Sequence, residues 1–166
     1  SLFLLAGIYL MRRGRGLSMQ QEALHGAPWE TVPFILSMFV LVLALNKYGL
    51  TDRIGAFLGN AHPVVSYGIS SFLGANLINN IPMSVLFSSI VSGLSGEAHS
   101  AALYASIIGS NLGAFFTPLG ALAGIMWAGM LKNHGVKFGF SRFIAYGAAV
   151  AIPALAAALA GLALML

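Results

Sequence analysis

The chain has 166 residues, of which 58% are hydrophobic and 7% charged, with eight Lys/Arg against four Asp/Glu and a mean hydropathy of +0.89. Soluble domains carry roughly 25% charged residues, so this composition excludes an ordinary soluble domain and belongs to a polytopic membrane protein. Without cysteine there is no disulfide framework, Cys-ligated zinc or thiol nucleophile. The excess of positive charge sits beside apolar stretches, at Arg12, Arg13, Arg15, Lys132, Lys137 and Arg142, which is a topology signal rather than a nucleic-acid footprint.

The chain is apolar from Leu2 to Met11 and only then basic. A signal peptide has the reverse order. Residues 1–11 would reach about 15 Å as a helix, half of a roughly 30 Å hydrocarbon core, so they are expected to be the tail of a transmembrane helix that starts upstream, in a missing N-terminal part. Residues 12–30 follow as a polar loop. Residues 31–46 form a short span candidate, and 47–62 an external loop containing Lys47, Asp52 and Arg53.

Between Arg53 and Glu97 there is no Asp, Glu, Lys or Arg, and this interval contains Asn79-Asn80-Ile81-Pro82. The arms on either side, 63–78 and 83–94, would reach about 24 and 18 Å, too short for two comfortable crossings. A re-entrant hairpin over 63–95 with its tip at 79–82 fits better. Residues 98–131 are again uncharged, and one helix of that length would extend about 51 Å. Gly109, Gly113, Pro118 and Gly120 in its middle predict an unwound stretch over 109–120 between two half-helices. A loop over 132–142 and a last span over 143–166 complete the layout. Crossings at 31–46, 98–131 and 143–166 place both basic loops, 12–30 and 132–142, on the cytoplasmic side.

Non-helical backbone at membrane depth is tolerated only where protein buries it or it lines a watery cavity. Paired interruptions point to the substrate site of a secondary transporter. The side chains at these two are Asn76, Asn79, Asn80, Ser84, Ser110, Asn111 and Thr117, with Pro82 and Pro118 beside them. Amides both donate and accept, so they suit a neutral hydroxyl-bearing solute, an anion at helix N-termini, or Na⁺ held by carbonyl oxygens. The plainer alternative is that these groups only bond helix to helix. The local likeness of Gly74-Ala75-Asn76-Leu77 to Gly109-Ser110-Asn111-Leu112 adds little.

No Asp, Lys or Arg falls in the predicted spans, and Glu97 lies just before one. His25, His62, His99 and His134 lie far apart in loops and form no ligand set, so no metal or other cofactor is expected. No G-x-S-x-G, H-E-x-x-H or phosphate-binding loop is present, and an enzyme is not expected. Trp29 and Trp127 read as interface anchors, the latter also as a packing residue. A non-transporting structural membrane subunit would not require two amide-lined interruptions.

Gly26-Ala27-Pro28-Trp29-Glu30 and Asn46-Lys47-Tyr48-Gly49-Leu50-Thr51 resemble the second half of arsenical pump membrane proteins. So do Asn79-Asn80-Ile81-Pro82-Met83, Tyr104 to Gly113, and Thr117-Pro118-Leu119-Gly120-Ala121-Leu122-Ala123, in order and spacing from about Ala23 to the C-terminus. These are arsenite and antimonite efflux permeases of the ion transporter superfamily, which also holds citrate, dicarboxylate and Na⁺/H⁺ carriers.

The resemblance implies an all-α fold in which this chain is the second inverted repeat, with a re-entrant helical hairpin beside a discontinuous transmembrane helix. It implies a substrate region at Asn79, Asn80 and Pro82, faced by Ser110, Asn111, Thr117 and Pro118. The implied activity is proton antiport of arsenite across the inner (plasma) membrane, with H⁺ or Na⁺ as coupling ion. The lipid bilayer and the missing half are the expected partners, and a homodimer and a soluble ATPase are admitted. One departure stands out: the family pattern has Pro-Lys after the equivalent of Leu112-Gly113, where this chain has Ala114-Phe115-Phe116.

Overall fold

The computed structural model describes residues 29, 31–59, 61–136 and 138–166. The expectations for residues 1–11 and the Arg12–Arg15 loop lie outside them. The chain divides into two compact units, Ser1–Pro33 and Phe34–Leu166, and the packing below is that of the second.

Every regular element among the described residues is helical: α1 Thr31–Lys47, α2 Leu50–Leu58, α3 Pro63–Ile78, α4 Asn80–Val91, α5 Gly96–Gly113, α6 Leu122–Asn133 and α7 Phe140–Met165. Of these, α7 alone is long and apolar enough to cross a membrane unaided, and α1 and α2 pass the same test as a pair bent by 77°. The bend falls at Gly49, whose φ of 68° is reached cheaply only by glycine. Residues 47–62, expected as a loop, therefore contain a helix. Its apolar residues Leu50, Ile54 and Leu58 recur at helical spacing, and Ile54 and Leu58 pack on the core.

At Asn79 the chain doubles back. Tyr67 on α3 and Phe87 on α4, each well away from the turn, meet edge-to-face with ring centroids 6.3 Å apart, and Met83 packs against Gly74. The pair is a helical hairpin whose turn is one residue long. Pro63 begins α3, where its missing N–H is no loss. The hairpin's inner face, with Phe72, Ala75, Met83, Leu86, Phe87, Ile90 and Val91, joins the buried core of the described residues.

Helix α5 packs along α3 in the most extensive helix–helix contact of the described residues. Ala101, Ala105, Gly109 and Gly113, every fourth residue, form a buried stripe of small side chains on α5, a pattern that lets backbones meet in lipid, where apolar burial alone does not drive helices together. A Cβ on Gly109 would collide with the Gly68 carbonyl and the Ser71 hydroxyl, and one on Gly113 with the Phe72 carbonyl. These glycines are contact points inside a helix. The unwound stretch expected over 109–120 accordingly starts later, and α5 continues to Gly113 before the chain leaves helical geometry at 114–121.

Helix α7 closes the bundle through Ala151, Leu155 and Leu159, buried at four-residue spacing, with Leu159 against Gly68 and Gly147 against the Phe115 carbonyl. Away from this core the helices expose large apolar side chains, among them Phe57 at 89% and Leu77 at 82%. A surface of that kind belongs against lipid or other protein. Trp127 packs edge-on against Phe138 and Phe143, at 5.2 and 5.7 Å.

The α3–α5 contact makes a direct prediction. Replacing Gly109 by Ala sets a methyl against a backbone carbonyl and should cost about 1–3 kcal/mol in reversible unfolding, as over-packing does. Gly129→Ala, in α6 with nothing within 4 Å of the new carbon, should instead be neutral or stabilising by up to about 1 kcal/mol.

Candidate functional site

The hairpin turn and the unwound stretch after α5 meet. Asn79 is the one non-glycine described residue with positive φ, at 70° with ψ 151°, a region that costs on the order of 1–3 kcal/mol and persists only where its surroundings enforce it. Three contacts do so. The Asn79 side-chain amide donates to the Leu119 carbonyl at 3.3 Å, its Oδ1 accepts from the Ile81 N–H at 3.4 Å, and its carbonyl accepts from the Met83 N–H at 3.1 Å. The residue is 3% exposed.

A new helix normally leaves its leading N–H groups without partners. At α4 they are all accounted for. The Asn80 N–H donates across to the Gly120 carbonyl at 3.0 Å, Ile81 and Met83 bond back to Asn79, and Pro82 has no N–H to satisfy. The positive end of α4 is thus engaged by protein and offers no open row of donors to an anion.

A second set of bonds locks the arm behind the turn. Thr117 Oγ1 donates to Asn76 Oδ1 at 2.7 Å, accepts from the Leu119 N–H at 3.3 Å, and the Asn76 amide donates to the Phe72 carbonyl at 2.9 Å. Gly120 fits because a Cβ there would lie 2.6 Å from the Gly113 carbonyl and 3.0 Å from Asn76 Oδ1. Phe116 lies tilted against Phe72, with ring centroids 5.3 Å apart. Phe115, by contrast, is exposed.

The expected site residues divide into groups. Asn76, Asn79, Asn80 and Thr117 come together, with Pro82 and Pro118 buried beside them. Ser110 and Asn111 do not reach the turn: both lie in the last turns of α5 and donate to the Ile107 carbonyl, at 3.2 and 2.8 Å. Ser84 donates to the Asn80 carbonyl at 2.7 Å. The side-chain amide of Asn80, half-buried, makes no hydrogen bond to any described residue. It is the one tip amide with its bonding capacity open. The carbonyls of Leu119 and Gly120, which hold the tip, were not legible in the sequence, because every residue carries the same backbone acceptor.

Helices throughout the described residues, a spanning-length apolar α7 and an outer surface of large apolar side chains define a helical membrane protein. The sequence profile of the family described as arsenical pump membrane protein matches residues 5–166. The chain belongs to that family. The arsenical pump membrane protein of Escherichia coli (strain K12) is 30% identical over 164 residues, covering 93% of this chain and 38% of that protein. The putative arsenical pump membrane protein of Bacillus subtilis (strain 168) is 28% identical over 132 residues, 75% of this chain and 30% of that protein. The P protein of Mus musculus is 29% identical over 140 residues, 75% of this chain and 17% of that protein. The chain therefore spans well under half the length of these relatives. No solved structure matches it.

Asn79 supplies a test that separates backbone from side chain. Asn79→Gly relaxes the positive φ but loses both side-chain bonds, whereas Asn79→Ala loses the bonds and keeps the strain. The alanine variant should therefore be the less stable of the two by about 1–2 kcal/mol, read as the difference in unfolding free energy in detergent.

Proposed function

We propose that this chain forms part of a secondary active transporter that exports arsenite and antimonite in exchange for protons. The solute binds where the hairpin turn meets the unwound stretch of 114–121, the facing wall being supplied by the rest of the protein. In this reading the hairpin is re-entrant, α5 and α6 are two halves of one discontinuous span, and the chain is the second of two inverted repeats. Asn80 is the residue that touches solute. Asn76, Asn79 and Thr117 are positioning residues that hold it there.

The observation that carries this reading is the free Asn80 amide beside an N-terminus whose donors are all engaged. Trivalent arsenic hydroxide is neutral at pH 7 and bears only hydroxyls, each able to donate to and accept from an amide. A citrate or dicarboxylate needs cations or open N–H groups. No Lys or Arg lies between Arg53 and Lys132, and the turn's N–H groups are taken. The names of the Escherichia coli and Bacillus subtilis relatives point to an arsenical solute.

The reading is tested by arsenite uptake into everted vesicles carrying the full-length protein with an imposed proton gradient. Uptake should be collapsed by a protonophore, and Asn80→Ala should slow it about 10- to 100-fold, the effect of one lost hydrogen bond to a desolvated partner, with unfolding unchanged. Wild-type uptake by Asn80→Ala, or uptake of citrate in place of arsenite, would overturn the assignment.

A further inference from the structure

Away from the turn, α2 and the end of α4 border a second polar space, open on one side. It has a volume of about 420 Å³ and is lined by Thr51, Asp52, Tyr67, Ser89, Ser92 and Gly93, among others. We infer that this cavity is a binding site for a monovalent cation of the Na⁺ type, held by Asp52 and the surrounding hydroxyl oxygens. This inference goes beyond the solute site and stands without it.

The argument is an account of donors and acceptors. Thr51 is 2% exposed and its hydroxyl hydrogen goes to Asn46 Oδ1 at 3.2 Å. Ser92 gives its hydrogen to the Ser89 carbonyl at 2.7 Å. Ser89 Oγ accepts from the Asn46 amide at 3.2 Å and keeps a second lone pair. What remains toward the cavity is a carboxylate and hydroxyl lone pairs, and no Lys, Arg or His lines it. Asp52, like the nearest cations in sequence, Lys47 and Arg53, is exposed, but those two lie outside the lining. The last carbonyls of α4, Ser88 to Val91, are each bonded by Ser92, Gly93 or Leu94, so the open acceptors are side-chain oxygens. The lining thus holds one carboxylate, hydroxyl lone pairs and two hydroxyls, of Ser89 and Tyr67, whose hydrogens are unspent, but no fixed positive charge, and the carboxylate favours a cation.

Tyr67 is the second, independent observation. It is fully buried and lines this cavity, and its hydroxyl has no hydrogen-bond partner among the described residues. A buried hydroxyl left unbonded is destabilising, and an ion or its water would satisfy it. Asp52 is the sole carboxylate in the lining, and one negative charge matches a monovalent ion, whereas divalent sites gather several charged oxygens. The volume has room for on the order of ten waters at about 30 Å³ each, so the ion enters with part of its hydration shell. Asp52 also lies in the first turn of α2, where a carboxylate offsets the helix's positive end. The test therefore separates the two roles.

The full-length protein, purified in detergent and free of arsenite, is unfolded thermally in NaCl and in choline chloride at equal ionic strength. NaCl should raise Tm with a saturable dependence that choline does not reproduce. Asp52→Asn keeps size and removes charge, and should raise the half-saturating NaCl concentration at least about tenfold. Tyr67→Phe should raise Tm in choline chloride, because the unpartnered hydroxyl is gone, and shrink the added effect of NaCl. Equal Tm values in the two salts for the wild type would overturn the inference, as would an unchanged NaCl midpoint in both variants. Because no transport substrate is present, failure here and failure of the arsenite reading are separate results.

Discussion

The bond from the Asn80 N–H to the Gly120 carbonyl joins two places where helices stop. In an apolar surrounding an unpaired backbone group costs several kcal/mol, so a helix can be interrupted only if the freed groups find partners inside the protein. The two interruptions here supply one another. The turn of the α3–α4 hairpin gives donors, and the stretch between α5 and α6 gives the Leu119 and Gly120 carbonyls. Neither interruption is self-sufficient, which is why Asn79 can hold a backbone geometry that a free loop would abandon.

That mutual satisfaction requires the two segments to be brought to within bonding distance, and the small-residue stripe of α5 does this. Gly109 and Gly113 bring the α5 backbone against Gly68 and Phe72, so that when α5 ends the chain already lies beside Asn76. Thr117 then completes the contact with a side-chain bond. Packing sets the distance, backbone polarity sets the register, and one amide, that of Asn80, is left over. In the proposed carrier that leftover group is the functional one, and the neighbouring amides are its frame.

Much of this was visible in the amino-acid sequence. Asn-Asn-Ile-Pro in an uncharged stretch marks a turn with capping potential, and the Gly- and Pro-bearing run beyond Gly109 marks a second interruption. The boundaries were less legible, because glycine carries two meanings. Gly109 and Gly113 read as helix breakers, yet both are buried contact points within α5, and only their partner on α3 distinguishes the two roles. Lys47, Asp52 and Arg53 in one short stretch point to a loop and mask helix α2, although Leu50, Ile54 and Leu58 carry a helical period. Ser110 and Asn111 share the chemistry of the site's amides and hydroxyls but not their place. Their side chains instead turn back onto their own helix at Ile107, a bond that a residue type cannot announce.

The central claim is that turn and unwound stretch form one energetic unit, and a double-mutant cycle on Asn76 and Thr117 measures it most directly. Asn76→Ala, Thr117→Val and the double variant are unfolded reversibly in detergent, and the coupling free energy is taken from the cycle. The account predicts a coupling of about 1 kcal/mol or more, as for a side-chain pair sharing one short hydrogen bond. Losses that add to within about 0.3 kcal/mol would mean that the two segments are stabilised separately, and would contradict it.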